Sequence, residues 1–126
     1  MKMKLNPWPY YQKDEIEAVK KVLNSGQVNY LLGDEGNHFE KEFATFTGCK
    51  YSIALANGSL ALTAAFVSIG LKEGDEIITT PRTFIATAST AALLGVKPVF
   101  ADISRDSGAI TAETIEPLIT KKTKAI

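Results

Sequence analysis

The stretch Asn57-Gly58-Ser59 carries residues that could bind an anion. It follows the alternating run Ile53–Ala56, which suits a short buried strand, and precedes a helix-forming run, Leu60–Val67, that ends at Gly70. A tight glycine turn between a strand and a helix leaves backbone N–H groups unpaired, and the helix dipole adds partial positive charge there. Ser59 is expected to cap the helix and to offer its hydroxyl to a phosphate. An ordinary capped turn is the commoner outcome for such a stretch, so the turn alone leaves both interpretations open.

Other side chains that could do chemistry are sparse. His38 is the only histidine and has no cysteine or second histidine nearby, so we interpret it as a surface residue, and no metal-ligand cluster is present. Cys49 is the only cysteine, which excludes an internal disulfide and fits a reducing cytosol. Because Cys49 follows Gly48 at the end of an apolar helix, we expect a small buried thiol rather than a nucleophile.

Composition and charge narrow the class of protein. The chain has 126 residues, with 14 basic and 14 acidic side chains, 45% hydrophobic and 22% charged residues. This length suffices for one domain with a core, and the balanced charge argues against a nucleic acid or a membrane surface as partner. No apolar run approaches the ~20 residues that cross a bilayer. The first residues lack the apolar segment of a signal peptide, so a cytoplasmic protein is predicted.

The first half of the chain reads as an aromatic arm, two helices and a glycine-rich loop. Pro7 and Pro9 favour an extended arm around Trp8, Tyr10 and Tyr11 that docks on its own domain or on a partner subunit. The pattern predicts a helix from about Lys13 to Leu23, whose apolar face is formed by Ile16, Val19 and Leu23. The loop 25–37 packs against a ligand or a neighbouring subunit, or simply covers its own core. Phe39, Phe43 and Phe46 have helical spacing and are expected to form a buried face.

The second half alternates strands and helices. Strands are predicted at Glu76–Thr80, at Val96–Ala101 and from Thr123 to the last residue, with a helix of small residues from Thr83 to Leu94. A helix begins at Thr111, and Pro117 shortens or kinks it. With the expected strand at 53–56, this order requires crossover connections and predicts a layered α/β/α fold with a mainly parallel sheet.

The last residues, Lys124-Ala125-Ile126, lie within an apolar run. Parallel strands are buried on both faces and usually read as longer apolar runs. We therefore expect the chain to be the N-terminal piece of a longer protein, the alternative being a short edge strand that closes the domain.

Four motifs in order carry a family resemblance: SGQVNYLLGDEGNHFEKEFATFTG, ALANGSLAL, GDEIITTPRTFIATAST and KPVFADI. Together they resemble the N-terminal part of the DegT/DnrJ/EryC1/StrS family of sugar aminotransferases, and they cover nearly the whole chain. The resemblance implies a pyridoxal 5'-phosphate enzyme of the aspartate aminotransferase fold (fold type I), with residues 1–126 forming the N-terminal part of its cofactor-binding large domain. Pyridoxamine 5'-phosphate would arise during turnover.

The resemblance also implies roles for particular residues. Gly58, Ser59 and the backbone N–H of Leu60 would hold the cofactor's phosphate, although the family more often has Thr at the position of Ser59. Phe84 would stack on the pyridine ring, whereas on sequence alone it could equally pack in the core. A further set would lie near the substrate mouth or a dimer contact, namely Val28, Asn29, Tyr30, Trp8 and Tyr10.

The remaining catalytic parts of the family are absent from residues 1–126. Fold type I aminotransferases need a Schiff-base lysine and an acidic residue against the pyridine nitrogen, and in the family both come later. Lys72, Lys97 and Lys124 match none of the family's catalytic lysine positions. Asp102 follows a strand but matches a different position, so it is interpreted as structural or supporting. No catalytic residue is therefore predicted within this chain, which alone is expected to be inactive.

The resemblance implies that the intact protein, as a homodimer, moves an amino group from glutamate to a nucleotide-linked keto sugar for surface polysaccharide or glycan synthesis. A dehydratase of the same family, with histidine at the lysine position, is an alternative, and a non-enzymatic interaction module is another. A nucleotide-binding Rossmann domain is less favoured, because the turn at Asn57-Gly58-Ser59 lacks the G-x-G-x-x-G spacing.

Overall fold

A computed structural model describes residues 8–126 and divides the chain into two compact units, Met1–Ala54 and Leu55–Ile126. We call them the amino-terminal unit and the carboxy-terminal unit. The amino-terminal unit contains α1 (Lys13–Ser25) and α2 (Glu35–Thr47). The carboxy-terminal unit contains, in order, α3 (Gly58–Ser68), β1 (Glu76–Thr79), α4 (Ala86–Leu93), β2 (Lys97–Phe100), α5 (Ala112–Ile115), a 3-10 turn (Glu116–Leu118) and β3 (Thr123–Ala125).

Helix α1 begins and ends where its local signals indicate. The Glu15 carboxylate accepts the N–H of Gln12 at 2.6 Å, which satisfies a donor that the helix itself cannot pair. Gly26 ends the helix with φ of 72°, a left-handed conformation that glycine adopts without strain. The predicted helix is confirmed and runs two residues beyond Leu23.

The three phenylalanines of α2 contact one another, but the prediction that they are buried is wrong. Ring centroids lie 5.6 Å apart for Phe39 and Phe43 and 6.3 Å apart for Phe43 and Phe46. All three are exposed, Phe46 to 87%, and Ala44 is the buried residue of α2. Helical spacing identifies which side chains share a face, whereas burial also needs a second surface, and none of the described residues of this unit supplies one.

Two further expectations in the amino-terminal unit meet different outcomes. His38 is exposed, as predicted. Cys49 is also exposed, so the expected buried thiol is wrong. Gly48 closes α2 with φ of 69°, and the chain leaves the helix there with Cys49 facing solvent instead of continuing the apolar face.

The strand predicted at Ile53–Ala56 is absent from the part of the chain that the structure describes. These residues have no regular structure, and Ile53 is 77% exposed. An alternating apolar run becomes a strand only where a neighbouring strand pairs with its backbone, and the described sheet contains β1, β2 and β3 alone.

The sheet of the carboxy-terminal unit is parallel, with the order β2-β1-β3, which confirms the predicted α/β class. Strand β1 lies in the centre, so all four of its residues are buried, as expected for parallel strands. Leu71, Ile77, Ala91 and Val96 form the core, and Phe66 of α3 packs against it. Strand β1, helix α4 and the residue just before β2 thus share one hydrophobic core.

The helices that follow β1 and β2 differ from expectation at their ends. Helix α4 begins at Ala86, three residues later than predicted, because the segment after Pro81 forms bends rather than a helical turn. Thr111 precedes α5 as its cap, and the α-helix gives way at Glu116 to a 3-10 turn that holds Pro117. The predicted shortening at Pro117 is therefore confirmed.

Candidate functional site

The turn before α3 is built by Asn57 rather than by Ser59. Asn57 has an extended backbone (φ −166°, ψ 168°), and its Oδ1 accepts the N–H of Leu60 at 3.0 Å. This is the geometry of an N-cap residue, whereas Ser59 already lies inside the helix as its second residue. The predicted cap at Ser59 is therefore wrong, and sequence reasoning missed Asn57 although asparagine is among the preferred caps.

The cap leaves two backbone donors at this helix end. Within the described part of the chain, the N–H groups of Gly58 and Ser59 have no protein acceptor, whereas the N–H of Leu60 is held by Asn57. A methyl group placed on Gly58 would meet no atom within 4 Å, so the backbone is open to an approaching ligand. Two free donors at the positive end of α3 fit a phosphate, and Leu60 would join them only if the Asn57 side chain turned away.

Phe84 lies at the same edge of the carboxy-terminal unit as this turn. Helix α3 leads into the amino end of β1, and α4 follows the carboxyl end of β1, so both helices begin at the carboxyl edge of the parallel sheet. The two helices pack against each other. Phe84 lies two residues before the start of α4 and is 75% exposed, so it does not pack in the core of this unit. An exposed aromatic ring at the same edge as free backbone N–H donors would suit a planar phosphorylated ligand.

Two segments at this edge are joined by Arg82, which sequence reasoning did not single out. Arg82 Nη1 donates to the carbonyl oxygen of Gly108 at 3.2 Å and so links the segment after β1 to the loop after β2. Asp102, at the end of β2, accepts the N–H of Ile103 at 2.8 Å through Oδ1. That local bond agrees with the structural role expected for Asp102. No pattern in the sequence pairs Arg82 with Gly108, because 26 residues separate them.

Of the three lysines compared with the family's catalytic position, two lie at the opposite edge of the sheet and the third lies on β3. Lys72 precedes β1 and Lys97 begins β2, so both lie at the amino end of the sheet, and Lys124 lies on β3. Lys97 Nζ is 3.4 Å from Glu76 Oε1. Glu76 also accepts the Thr120 hydroxyl at 2.7 Å, and this bond, with help from Lys97, holds the pKa of Glu76 below its usual range. This cluster joins β1, β2 and the turn before β3.

The other predicted site residues belong to the amino-terminal unit. Asn29 Oδ1 accepts the N–H groups of Leu31 and Leu32, each at 3.0 Å, so the Asn29 side chain folds its own loop. The Tyr30 hydroxyl donates to both oxygens of Glu40 at 3.2 and 3.1 Å. Trp8 is 94% exposed and Tyr10 is 55% exposed. The assignment of these residues to a substrate mouth or a dimer contact stays a prediction.

No group of three or more His, Cys, Asp or Glu side chains between residues 8 and 126 could hold a metal ion. Among the helices that the structure describes, none has both the length and the apolar character that a membrane span needs.

The model of the DegT/DnrJ/EryC1/StrS aminotransferase family matches residues 9–126 of the chain. Over 115 residues, the chain is 44% identical to a UDP-2-acetamido-2-deoxy-3-oxo-D-glucuronate aminotransferase from Pseudomonas aeruginosa. That match covers 90% of the chain and 32% of the relative.

Solved structures of aminotransferases share the fold. An aminotransferase from Psychrobacter cryohalolentis superimposes with a TM-score of 0.91 at 46% identity, over 96% of this chain and 31% of that one. NtdA from Bacillus subtilis, solved with bound cofactor PMP, gives a TM-score of 0.81 at 31% identity, over 90% and 26% of the two chains. The chain thus spans about a third of the length of the relatives it matches.

Proposed function

Because the chain belongs to the DegT/DnrJ/EryC1/StrS aminotransferase family, we propose that it is the amino-terminal part of the large domain of a pyridoxal-phosphate-dependent sugar aminotransferase. The observation that carries the proposal is the turn before α3, where two backbone N–H groups have no protein acceptor and lie at the same edge of the sheet as an exposed aromatic residue. Relatives with 44% and 46% identity support the same activity.

The residues present fit the phosphate end and one face of this cofactor. The N–H groups of Gly58 and Ser59 and the Ser59 hydroxyl would bind phosphate oxygens, and Asn57 would keep the helix end in place. Phe84 would cover one face of the ring and exclude water from it. When bound, pyridoxal phosphate supplies an electron sink that allows an amino group to leave one substrate and join another. A lysine outside residues 1–126 would move the proton.

The substrates we propose are a nucleotide-linked keto sugar and an amino donor, glutamate, with a product used for surface polysaccharide. The Pseudomonas aeruginosa relative acts on a UDP-linked keto sugar by its name, which supports this substrate class. We also propose that the intact protein is a cytoplasmic homodimer, with Trp8, Tyr10, Asn29 and Tyr30 near the substrate mouth or the subunit contact.

The test uses the full-length gene product that carries this chain. Purified with pyridoxal phosphate, it should show a visible absorption band that disappears when the catalytic lysine is replaced. Absence of the band would contradict the proposal, and a histidine at the lysine position would identify the dehydratase instead.

The contribution of the turn is tested separately. Ser59→Ala should weaken cofactor binding by roughly 10-fold or more, since a hydrogen bond to a charged phosphate is lost. Ser59→Thr keeps the hydroxyl and serves as the matched control. Equal cofactor affinity in all three proteins would remove Ser59 from the site.

A further inference from the structure

Glu40 joins three segments of the amino-terminal unit. Its carboxylate belongs to α2 and accepts the Tyr30 hydroxyl from the glycine-rich loop. The same carboxylate accepts the backbone N–H of Ala54 at 2.7 Å through Oε1. Ala54 lies three residues before Asn57, which caps α3. We call Glu40, Tyr30 and the Ala54 N–H the Glu40 clasp.

A second residue of α2, Gly36, leaves space for the ring of Tyr30. Gly36 and Glu40 are four residues apart, so they lie on one face of the helix. A methyl group on Gly36 would come 2.6 Å from Cδ2 and 2.9 Å from Cε2 of Tyr30, so only glycine leaves room for the ring. Gly36 therefore seats the ring and Glu40 holds its hydroxyl.

The loop that carries Tyr30 is itself closely folded. Asn29 Oδ1 and the Asn29 carbonyl together hold Leu31, Leu32 and Gly33 in a turn. A methyl group on Gly33 would come 2.5 Å from the Gln27 carbonyl oxygen, so the backbone has no space for a side chain there. The position of Tyr30 is therefore determined from the loop side and from the helix side.

In the Glu40 clasp, the hydroxyl hydrogen of Tyr30 is donated to the Glu40 carboxylate. Because that hydrogen points to Glu40, the tyrosine oxygen presents only acceptor lone pairs to any further partner. The hydrogen bond to Glu40, followed by desolvation and the Glu40 charge, raises the pKa of Tyr30, so the hydroxyl stays protonated at neutral pH. Tyr30 is 53% exposed, so a ligand can reach it.

We propose that Glu40 is a positioning residue, which orients Tyr30 as a hydrogen-bond acceptor for a hydroxyl of the sugar substrate and holds the backbone at Ala54. This inference rests on the proposed function for the identity of the substrate. The existence of the Glu40 clasp depends only on the contacts of Glu40 and not on the proposed function.

The variants separate the two contacts of Glu40. Tyr30→Phe removes the hydroxyl and leaves the Ala54 contact. Glu40→Gln removes the charge but keeps an oxygen that can accept the Ala54 N–H, whereas Glu40→Ala removes both contacts. Glu42→Gln is the matched control, because Glu42 is exposed on the same helix.

Two readouts on the full-length protein do not depend on cofactor chemistry. In the NMR titration of the tyrosines, assigned with Tyr30→Phe, the pKa of Tyr30 should fall towards its ordinary value in Glu40→Gln and Glu40→Ala. Amide exchange at Ala54 should be roughly 2- to 10-fold faster in Glu40→Ala and unchanged in Tyr30→Phe, as expected for the loss of one hydrogen bond. If neither quantity moves in Glu40→Ala, the clasp is overturned.

Steady-state kinetics then test the positioning role. Tyr30→Phe and Glu40→Gln should raise KM for the sugar by roughly 2- to 10-fold with little change in kcat, since a substrate contact is weakened while the cofactor stays in place. KM values equal to that of Glu42→Gln would overturn the positioning role. A wild-type protein without the visible cofactor band would overturn the proposed function instead, and the titration and exchange results would still decide the clasp.

Discussion

Different kinds of interaction stabilise each of the two units of this chain. The carboxy-terminal unit has a parallel sheet whose central strand is buried, and Ile78 and Val96 are 1% and 2% exposed. In the amino-terminal unit the described residues include one buried hydrophobic side chain, Ala44, and the segments are joined by Glu40, Asn29 and helix caps. The first arrangement depends on apolar burial and the second on directional polar contacts.

This difference affects how the candidate site residues within each unit are held. A packed sheet holds the start of α3 and Phe84 at one edge, because crossover connections leave the helix ends little freedom. The loop around Tyr30 instead depends on single hydrogen bonds and on glycines that permit close approach. Substitutions in the core should therefore lower the stability of the whole carboxy-terminal unit. Substitutions of polar residues in the amino-terminal unit should instead have local effects.

The largest effect is expected from Ile78→Ala in β1. Removing a fully buried isoleucine side chain should lower the free energy of unfolding by about 2–5 kcal/mol, because apolar contact is lost and a cavity remains. Phe46→Ala in the amino-terminal unit is the contrasting change, since Phe46 is 87% exposed, and it should alter stability by about 0.5 kcal/mol or less. Hydrogen exchange of the β1 amides in the full-length protein measures both. An equal loss of unfolding free energy in Ile78→Ala and Phe46→Ala would contradict the contrast between the units.

Asn57→Ala is expected to have an intermediate effect. Loss of the N-cap should lower stability by about 1 kcal/mol and free the N–H of Leu60. Asn57→Asp keeps a capping oxygen but brings a negative charge to the turn that is proposed to bind phosphate. We therefore expect Asn57→Asp to preserve the thermal midpoint while weakening cofactor binding, and calorimetry with a cofactor titration separates the two. Unchanged affinity in Asn57→Asp would argue against a phosphate at this turn.

The Glu76 cluster gives a smaller, pH-dependent effect. The pKa of Glu76 is lowered in the folded state, first by the Thr120 hydroxyl and also by Lys97, so the ionised form is favoured by folding. This contribution is present above the ordinary pKa of a glutamate, near 4.5, and is lost as the pH falls through the lowered value. Urea denaturation across this acidic range should show a shallower loss of stability in Glu76→Gln than in the wild type.

The smallest effect is expected at the exposed ion pair of α1. Lys20 Nζ lies 2.6 Å from Glu17 Oε1, and both side chains are more than half exposed. Such a pair contributes about 0.5 kcal/mol or less, because water screens it. Lys20→Gln should therefore leave the thermal midpoint nearly unchanged and become indistinguishable from wild type in high salt. A larger loss would show that α1 depends on this pair.

Much of the carboxy-terminal unit could be predicted from sequence, because its signals are local and mutually consistent. Strand β1 was expected at its observed start, and Pro117 was expected to shorten the helix that follows Thr111. The turn before α3 was expected at its observed place, but its cap was assigned to Ser59 instead of Asn57, and its role in binding an anion stays a prediction. Both residue types cap helices, and only the backbone angles distinguish the residue outside the helix from the one inside it.

The amino-terminal unit was predicted less well, for a different physical reason. Periodicity located α1 and α2, yet it placed Phe46 in a buried face and Ile53 in a strand, and both side chains are exposed. Burial and strand pairing require a second surface, and a local pattern carries no information about whether that surface is present.

The amino-acid sequence by itself determined the parallel α/β class, the family and the order of the helices and strands apart from the strand expected at 53–56, since these follow from local patterns and ordered motifs. Only the tertiary structure decided that Asn57 holds the Leu60 N–H, that Arg82 reaches Gly108 and that Glu40 joins Tyr30 to Ala54. The last two connect residues 10 to 26 positions apart, and such contacts depend on how the folded segments meet.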